Sequence, residues 1–238
     1  MEKLTGKVAI VTGGTRGIGR AIAQKLLAEG ARVAICGRSH ESVDQAVEAM
    51  KPAGEIFGSA VDITQPEQVT QFFAAVAQHF GGLDILVNNA GKGVFRKVGE
   101  MTVEEWRANI ELNLNGAFYC AHAALALFTQ RGGGFIVNIS SLAAKNPFSG
   151  GAGYNASKFG MNGFGEAMML DHRNDNVRVC SVMPGSVDTG FSDPAKRTGD
   201  TSWKVAPEDV AEVVTLVLKM PARTMVSQIE MRPSKPKK

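Results

Sequence analysis

The sequence predicts a doubly wound α/β fold, in which helices cover both faces of a parallel sheet. Short runs of aliphatic and β-branched residues alternate with longer segments of helical period along the whole chain. The short runs are continuously apolar, which is typical of parallel strands that are buried on both faces. At 238 residues, with no linker or repeat, the chain is predicted to form one domain spanning 1–238.

The apolar runs predict strands at 8–12, 33–36, 56–61, 85–88, 135–140, 177–183 and 226–231. Helical period predicts helices at 17–29, 41–51, 66–80, 103–130, 154–172 and 207–219. In the 103–130 segment, apolar residues recur every three or four positions from Trp106 to Phe128. We therefore expect one long helix there with a single buried stripe. Residues 190–206 are polar and lack a period, so we interpret them as a loop that covers a substrate site.

Charge and composition exclude several classes of protein. The formal charge is +3, but four basic residues fall within 232–238, and without them the remaining charge is negative. We interpret that segment as a solvated basic tail and expect no nucleic-acid partner. We find no apolar run of the roughly 18–20 residues that a membrane span needs and no secretory signal, so we expect a cytoplasmic protein without a membrane partner. The three separated cysteines predict buried thiols, and the absence of a Cys/His cluster predicts no metal site.

A glycine-rich turn follows the first predicted strand. The segment TGGTRGIG, over 12–19, leads directly into the first predicted helix. Gly13, Gly17 and Gly19 allow a tight turn and a close approach of the backbone to a pyrophosphate, which the free N–H groups of the helix N-terminus attract. Arg20 follows the last glycine where a P-loop has lysine, so the turn predicts a dinucleotide site rather than a triphosphate site.

The end of the second predicted strand indicates which dinucleotide binds. A site for NAD usually places a carboxylate there, which accepts hydrogen bonds from the ribose 2′-OH. This chain has Gly37-Arg38-Ser39 instead, and Arg16 supplies a second cation inside the glycine turn. Because a guanidinium binds a 2′-phosphate through charge-assisted hydrogen bonds, the pattern favours NADP(H) over NAD.

The segment YNASK contains the candidate for proton transfer. Tyr154 and Lys158 lie four positions apart in a predicted helix and therefore project from the same face. A neighbouring ammonium lowers the pKa of a phenol, which is ordinarily near 10. Ser140 and Ser141 end the fifth predicted strand, and a glycine-rich bend at 149–153 allows a serine hydroxyl to face the phenol.

These motifs in this order resemble those of the short-chain dehydrogenase/reductase family. They are TGGTRGIG, NNAG at 88–91, Ser141 thirteen positions before YNASK, and PGSVDT at 184–189. The resemblance covers nearly the whole chain. It implies a Rossmann domain whose seven-stranded parallel sheet is flanked by helices on both faces.

The resemblance also implies a role for each site residue. Tyr154 is the general acid, Lys158 lowers its pKa and holds the nicotinamide ribose, Ser141 polarises the substrate oxygen, and Asn113 supports a water-linked proton relay. The cofactor-binding residues implied are Gly13, Thr15, Arg16, Gly17, Ile18, Gly19, Arg38, Asp62, Ile63, Asn89, Ala90, Gly91, Tyr154, Lys158, Pro184, Gly185, Val187 and Thr189.

The resulting hypothesis is an NADPH-dependent reductase that converts a ketone, aldehyde or 3-oxoacyl compound to an alcohol. One alternative is the 3-oxoacyl carrier-protein reductase of fatty-acid synthesis, although the ending SQIEMRPSKPKK departs from the Asp-Gly-Gly segment typical of that branch and looks more like members acting on small hydroxy acids. Another is a non-catalytic NADP-binding regulator. No GxSxG motif supports a serine hydrolase. The family resemblance implies a homodimer or homotetramer.

The sequence also offers candidates for an apolar substrate pocket. These are Phe95, Phe148, Met183, Phe191 and Trp203, all in predicted loops or at strand ends. Lys196, Arg197 and Lys204 lie in the loop at 190–206, where they favour either a solvated surface or an acidic carrier protein.

Overall fold

A computed structural model describes residues 1–189, 191 and 200–236 of the chain. Its seven strands form a single sheet with the order β3-β2-β1-β4-β5-β6-β7, and every neighbouring pair is parallel. The strands are β1 (Val8–Thr12), β2 (Arg32–Gly37), β3 (Ile56–Ala60), β4 (Ile85–Asn88), β5 (Gly134–Ile139), β6 (Val177–Pro184) and β7 (Gln228–Met231). The predicted doubly wound fold is thereby confirmed, with strand ends that differ from the predicted ones by one or two residues.

Helices cover both faces of this sheet. In the described residues they are α1 (Gly17–Ala28), α2 (His40–Met50), α3 (Pro66–Phe80), α4 (Val103–Ile110), α5 (Gly116–Arg131), α6 (Ala152–His172) and α7 (Pro207–Leu218). One apolar core joins α1, α2 and α7 to one face of the sheet. A second core joins α3, α5 and the Met168 end of α6 to the other face. None of the described helices has the length and apolar character needed to cross a bilayer.

The strand order places a crevice at the carboxyl ends of β1 and β4. From β1 the chain continues outward to β2 and β3, and then returns to β4 on the opposite side of β1. Connections that leave neighbouring strands in opposite directions open a gap between them, and ligands of open α/β sheets bind in that gap. The glycine-rich turn follows β1 and the NNAG segment ends β4, so the fold brings these two motifs together.

The helical backbone continues through the predicted 103–130 segment, but the predicted single buried stripe is wrong. A π-helical turn, Glu111–Asn115, separates α4 from α5. Such a turn inserts an extra residue into the helix. The face that is buried before the turn is therefore rotated away from the face that is buried after it. Trp106 and Phe118, both predicted in the buried stripe, are consequently 42% and 47% exposed. The buried face of α5 is instead formed by Ala117, Cys120, Ala121, Ala124 and Phe128.

Two predicted segments differ from the structure or lie partly outside it. The predicted loop at 190–206 includes residue 190 and residues 192–199, which lie outside the described residues, so Lys196 and Arg197 do too. In the described part of the predicted basic tail, 232–236, every residue except Pro233 is exposed. The pairing of β7 with β6 carries Arg232 to the carboxyl edge of the sheet, and the hydrogen bond from the Gly185 N–H to the Met231 carbonyl, 2.9 Å, fixes it there.

A glycine at the start of β5 provides a test of the packing. A Cβ atom on Gly134 would overlap the ring of Phe128, which is almost completely buried. We expect Gly134→Ala to lower the free energy of unfolding by roughly 1–3 kcal/mol, because a rigid buried ring must move. Urea unfolding measures this change. Gly99→Ala is the control, since a Cβ there meets nothing within 4 Å. If Gly134→Ala and Gly99→Ala unfold at the same urea concentration, the packing of Phe128 on Gly134 is wrong.

Candidate active site

A cleft of about 950 Å³ lies at the carboxyl ends of the strands and contains most of the predicted site residues. The glycine-rich turn, the ends of β2 and β4, the segment after β5, the start of α6 and the segment after β6 all contribute to its lining. Of the residues predicted to bind cofactor or to act in catalysis, Gly19 and Asn113 are the two that do not line it. The topology therefore brings together residues that are far apart in the sequence.

The glycine-rich turn has the shape that a pyrophosphate needs. Gly13 and Gly17 adopt left-handed φ values of +63° and +55°, which favour glycine. A Cβ on Gly13 would lie 3.0 Å from the Cα of Ala90, and a Cβ on Gly17 would lie 3.3 Å from the side chain of Thr189. The N-cap residue of α1, Arg16, makes no side-chain hydrogen bond to the first turn of the helix. The first N–H groups of α1 are thus free to bind an anion at the turn.

Gly19 lies behind the turn. A Cβ at this position would overlap the Gly13 carbonyl oxygen and the Asn89 side-chain nitrogen. This glycine therefore allows α1 to pack tightly against the turn, and its predicted part in cofactor binding is indirect.

Thr12 and Asn89 join the ends of β1 and β4. The Thr12 hydroxyl accepts hydrogen bonds from the backbone N–H groups of Asn89 and Ala90, both at 3.0 Å. The side-chain amide of Asn89 donates to the carbonyl oxygens of Thr12 at 2.8 Å and Gly13 at 3.1 Å. Asn89 thus lines the cleft as predicted, while its amide nitrogen fixes the glycine-rich turn.

Positive charge collects at the end of the cleft beside β2. Arg16 and Arg38 line the cleft, are exposed, and make no ion pair within the described residues. Ser39 and Ser42 lie beside Arg38 in the lining, and the Ser39 hydroxyl caps α2 by accepting from the Ser42 N–H. Two guanidinium groups with neighbouring hydroxyls form an environment suited to a phosphate.

Asp62 and Ile63 follow β3 and complete this end of the cleft. The Asp62 carboxylate accepts hydrogen bonds from the Thr64 N–H at 3.0 Å and the Thr64 hydroxyl at 2.8 Å. This local turn holds the carboxylate in one orientation at the cleft wall.

The tyrosine and lysine of YNASK lie in the first two turns of α6, as their spacing predicts. Tyr154 is nearly buried, and the Lys158 ammonium lies 5.9 Å from the centroid of its ring. The Lys158 Nζ donates to the Ile139 carbonyl oxygen at 2.9 Å, at the last residue of β5. The Ser141 hydroxyl, two residues further on, lines the cleft with Tyr154 and lies near enough to the phenol to lower its pKa. The strand end and the helix start are thereby held face to face.

Burial shifts the pKa values of both Tyr154 and Lys158. It raises the pKa of Tyr154 above its ordinary value of 10, and the Ser141 hydroxyl opposes that rise. Burial also lowers the pKa of Lys158 from 10.5 to about 8. The sequence predicts that the ammonium lowers the pKa of the phenol. Loss of solvation instead outweighs the other influences on the pKa of Tyr154, and the influence that lowers this pKa comes from Ser141.

Asn113 is buried next to the cleft, in the π-helical turn. Its Oδ1 accepts from the Lys92 N–H at 2.8 Å, and its Nδ2 donates to the Lys92 carbonyl at 2.8 Å and the Ser157 hydroxyl at 2.9 Å. Ser157 in turn donates to the Tyr154 carbonyl at 2.8 Å. The side chain thus connects the segment after β4 to the helix that carries Tyr154 and Lys158, and it supports the site from behind.

The remaining predicted cofactor residues follow β6. Pro184, Gly185, Val187 and Thr189 all line the cleft. A Cβ on Gly185 would lie 3.0 Å from Leu142 and 3.3 Å from Pro233, so glycine is needed where these segments meet.

Aromatic residues surround the other end of the cleft. Phe95, Phe148, Phe191 and Trp203 line it, as predicted, together with Lys204. Met183 does not, because it lies inside β6 and is fully buried. The C-terminal residues Arg232, Pro233 and Pro236 also line the cleft, which the sequence interpretation missed.

Other lining residues were not singled out from the sequence. They are Cys36, Ser42, Val61, Lys92, Leu112, Ile139, Leu142, Ala143, Asn146 and Ser186. Half of them are direct neighbours of predicted site residues, and several follow a parallel strand directly, where ligands bind in such folds.

Comparisons with known proteins show which family the chain resembles. Residues 7–199 match the family model described as short chain dehydrogenase. An uncharacterized oxidoreductase of Staphylococcus aureus (strain USA300) is 33% identical over 233 residues, covering 98% of this chain and 100% of that protein. A metagenomic short-chain oxidoreductase in complex with NADP is 35% identical, with a TM-score of 0.86, over 99% of this chain and 100% of the other. An alcohol dehydrogenase of the archaeon Thermococcus sibiricus, complexed with 5-hydroxy-NADP, is 29% identical, with a TM-score of 0.89, over 98% of this chain and 99% of the other. The chain belongs to the short-chain dehydrogenase family of oxidoreductases.

Proposed function

We propose that this protein is an NADPH-dependent reductase that converts a carbonyl compound to an alcohol, with Tyr154 as the general acid. The observation that carries the proposal is the buried Tyr154 phenol, one helical turn from Lys158, in the same cleft that holds the glycine-rich turn. One cleft thus combines a group that holds a proton with a cradle for a dinucleotide.

The residues of the cleft fit NADP(H). Gly13 and Gly17 leave open backbone for the pyrophosphate, Arg38 and Arg16 suit the 2′-phosphate, and Lys158 suits the nicotinamide ribose. The proteins in two of the similar solved structures are complexed with NADP or 5-hydroxy-NADP, which supports the same cofactor here. When bound, NADPH supplies a hydride to the carbonyl carbon.

The side chains of this chain supply and stabilise the proton. Because burial raises the pKa of Tyr154, the phenol keeps its proton at neutral pH and can donate it to the carbonyl oxygen. Ser141, near the phenol, adds a second hydroxyl at the point where negative charge develops on that oxygen. Both hydroxyls are already in position before the substrate enters.

Lys158 contributes a positive charge on the same side of the cleft. With a pKa of about 8, its amine is mostly protonated at neutral pH. An ammonium has three donors, and the Ile139 carbonyl takes one of them. The Met161 sulfur, at 3.9 Å, is a weak second acceptor, which leaves a third donor available to a hydroxyl group of a bound ribose.

We also propose that the protein assembles with further copies of itself in the cytoplasm. Phe118, Phe159 and Leu170, on α5 and α6, are between 45% and 56% exposed. Exposed apolar side chains on neighbouring helices are typical of an interface. They support the homodimer or homotetramer that the family resemblance implies.

Replacement of Arg38 tests the choice of cofactor. We expect Arg38→Ala to weaken NADPH binding by roughly 10–100-fold, because charge-assisted hydrogen bonds to the 2′-phosphate are lost, and to leave NADH binding nearly unchanged. Fluorescence titration of both cofactors measures the two dissociation constants. Arg223→Ala, at the opposite edge of the sheet, is the matched control. An equal loss for NADPH and NADH would remove Arg38 from the 2′-phosphate site.

Replacement of Tyr154 tests the proton donor. We expect Tyr154→Phe to fold and to bind NADPH normally but to lose turnover by about 10²–10⁴-fold. The chain has two tyrosines, and Tyr119→Phe is the matched control because Tyr119 bonds to Glu111 outside the cleft. NADPH oxidation with a panel of ketones, aldehydes and acetoacetyl thioesters gives the readout. Near wild-type turnover by Tyr154→Phe would contradict the role of Tyr154 as the general acid. If the wild-type protein binds NADPH but reduces no compound of the panel, the result would favour the non-catalytic alternative.

The burial of the Lys158 ammonium makes the free energy of unfolding depend on pH, and the sign of this dependence follows from the lowered pKa. Between pH 8 and 10.5 the unfolded chain holds a proton on Lys158 that the folded protein has released, so the folded protein gains stability as the pH rises. Below pH 8 the burial of the charge costs about 3 kcal/mol. We compare the free energy of unfolding of Lys158→Met with that of wild type at each pH. We expect the value for Lys158→Met minus the value for wild type to fall by about 2 kcal/mol between pH 7 and pH 10.

Urea unfolding of the cofactor-free protein at several pH values measures this difference. Lys3→Met is the control, because Lys3 is exposed and its replacement should produce no such trend. A constant difference between Lys158→Met and wild type would show that the ammonium is hydrated in the free protein.

A further inference from the structure

We propose that the substrate of this reductase carries a bulky apolar ring next to its carbonyl group, and that Phe95 and Phe148 select it. The inference rests on the proposed function, because it assigns the substrate class of the same cleft. Its structural basis is the phenyl wall, by which we mean the side chains of Phe95, Phe148 and Phe191.

The phenyl wall surrounds the ring of Tyr154. The centroid of the Tyr154 ring lies 5.5 Å from that of Phe95, 5.9 Å from that of Phe191 and 6.4 Å from that of Phe148. Phe95 and Phe148 also contact each other edge-to-face, with their centroids 5.6 Å apart. A carbonyl oxygen that accepts a proton from Tyr154 would therefore place its substituents among phenyl rings.

These rings are open to the cleft. Phe95, Phe148 and Phe191 are 37%, 45% and 42% exposed, and all three line the cleft. Three large apolar side chains left exposed in one concave site leave a surface that water solvates poorly. A ligand with an apolar ring would cover that surface, whereas a small hydroxy acid would leave most of it in water.

Two glycines make space for the phenyl wall. A Cβ on Gly151 would lie 2.6 Å from Cε2 of Phe148. A Cβ on Gly93 would overlap the Phe95 ring and lie 3.1 Å from Cε1 of Phe191. Neither glycine adopts a left-handed φ, so neither is needed for the backbone conformation. Their absent side chains let the rings pack directly against the backbone at the mouth of the site.

Two cations at this end of the cleft have partners. Arg232 forms an ion pair with Glu230 at 2.9 Å, and the Lys204 ammonium lies 5.9 Å from the centroid of the Trp203 ring. The groups nearest the phenol on this side are thus apolar rings, which favours an uncharged ring over a carboxylate.

Two ketones that differ in a single group test the inference. Acetophenone and acetone share the reacting carbonyl and one methyl group, and differ by a phenyl ring in place of the second methyl. We expect kcat/KM with NADPH to be roughly 100-fold higher for acetophenone, as burial of a phenyl group implies. An equal or higher value for acetone would overturn the inference.

Variants of the phenyl wall locate the effect. Phe148→Ala should lower kcat/KM roughly 10-fold more for acetophenone than for acetone, mainly through KM. Gly151→Ala should act in the same direction by displacing the Phe148 ring. Val98→Ala is the control, since Val98 is 76% exposed and does not line the cleft. Equal losses for both ketones in Phe148→Ala would contradict a selective role for this residue.

A binding measurement separates this inference from the proposed function. The alcohol 1-phenylethanol cannot react with NADPH, so calorimetry in the presence of NADPH measures its binding without turnover. We expect the dissociation constant to rise roughly 10-fold in Phe148→Ala and to stay unchanged in Val98→Ala. Such binding without turnover of any ketone would support the phenyl wall and contradict the reductase. Turnover of acetone without binding of 1-phenylethanol would support the reductase and overturn the phenyl wall.

Discussion

The site depends on one buried contact, the hydrogen bond from the Lys158 ammonium to the carbonyl oxygen of Ile139. A buried charge is stable only where a polar partner replaces water, and the last carbonyl of β5 is that partner. The contact fixes the start of α6 against the carboxyl end of β5. Tyr154, one turn earlier in α6, is thereby held near Ser141, which lies two residues after Ile139 and lines the same cleft. The same burial raises the pKa of the phenol and lowers that of the amine, so position and ionisation have a common cause.

A second set of hydrogen bonds supports this contact from behind. Asn113 binds the Lys92 backbone through both its N–H and its carbonyl, and also bonds to Ser157 in α6. The π-helical turn that carries Asn113 interrupts the helical pattern and rotates α5 relative to α4. Buried polar networks of this kind fix one arrangement because each member left unpaired would carry a desolvation cost. The segment after β4, the π-helical turn and α6 therefore hold their positions together.

The sequence predicts the sheet and most of the cleft because those features depend on local patterns. Continuous apolar runs are specific to strands buried on both faces, and in such a fold the residues after each strand meet at one edge. The π-helical turn escapes prediction because the apolar period of 103–130 is compatible with an unbroken helix, and the side-chain bonds of Asn113 are long-range. The position of Arg232 and Pro233 escapes prediction for a similar reason. Their charge and proline content resemble those of a free terminus, whereas the pairing of β7 with β6 decides where they lie.

The two ends of the cleft offer a ligand different interactions, charged at one end and mainly apolar at the other. At the β2 end, Arg16 and Arg38 are exposed cations, and their attraction for a phosphate acts through solvent and over a distance. At the Tyr154 end the surroundings are phenyl rings, a buried phenol and a buried amine, where polar contacts are stronger because water is scarce. Binding at the charged end can therefore orient a cofactor without contributing to the chemistry. In the proposed reaction, the apolar end would then determine the strength of the hydrogen bond from Tyr154, because a substrate that covers Phe95 and Phe148 would also remove water from the phenol. The ring of the proposed substrate would thus have two effects. It would be selected by the phenyl wall, and it would exclude water from the proton transfer, because the same phenyl groups surround Tyr154.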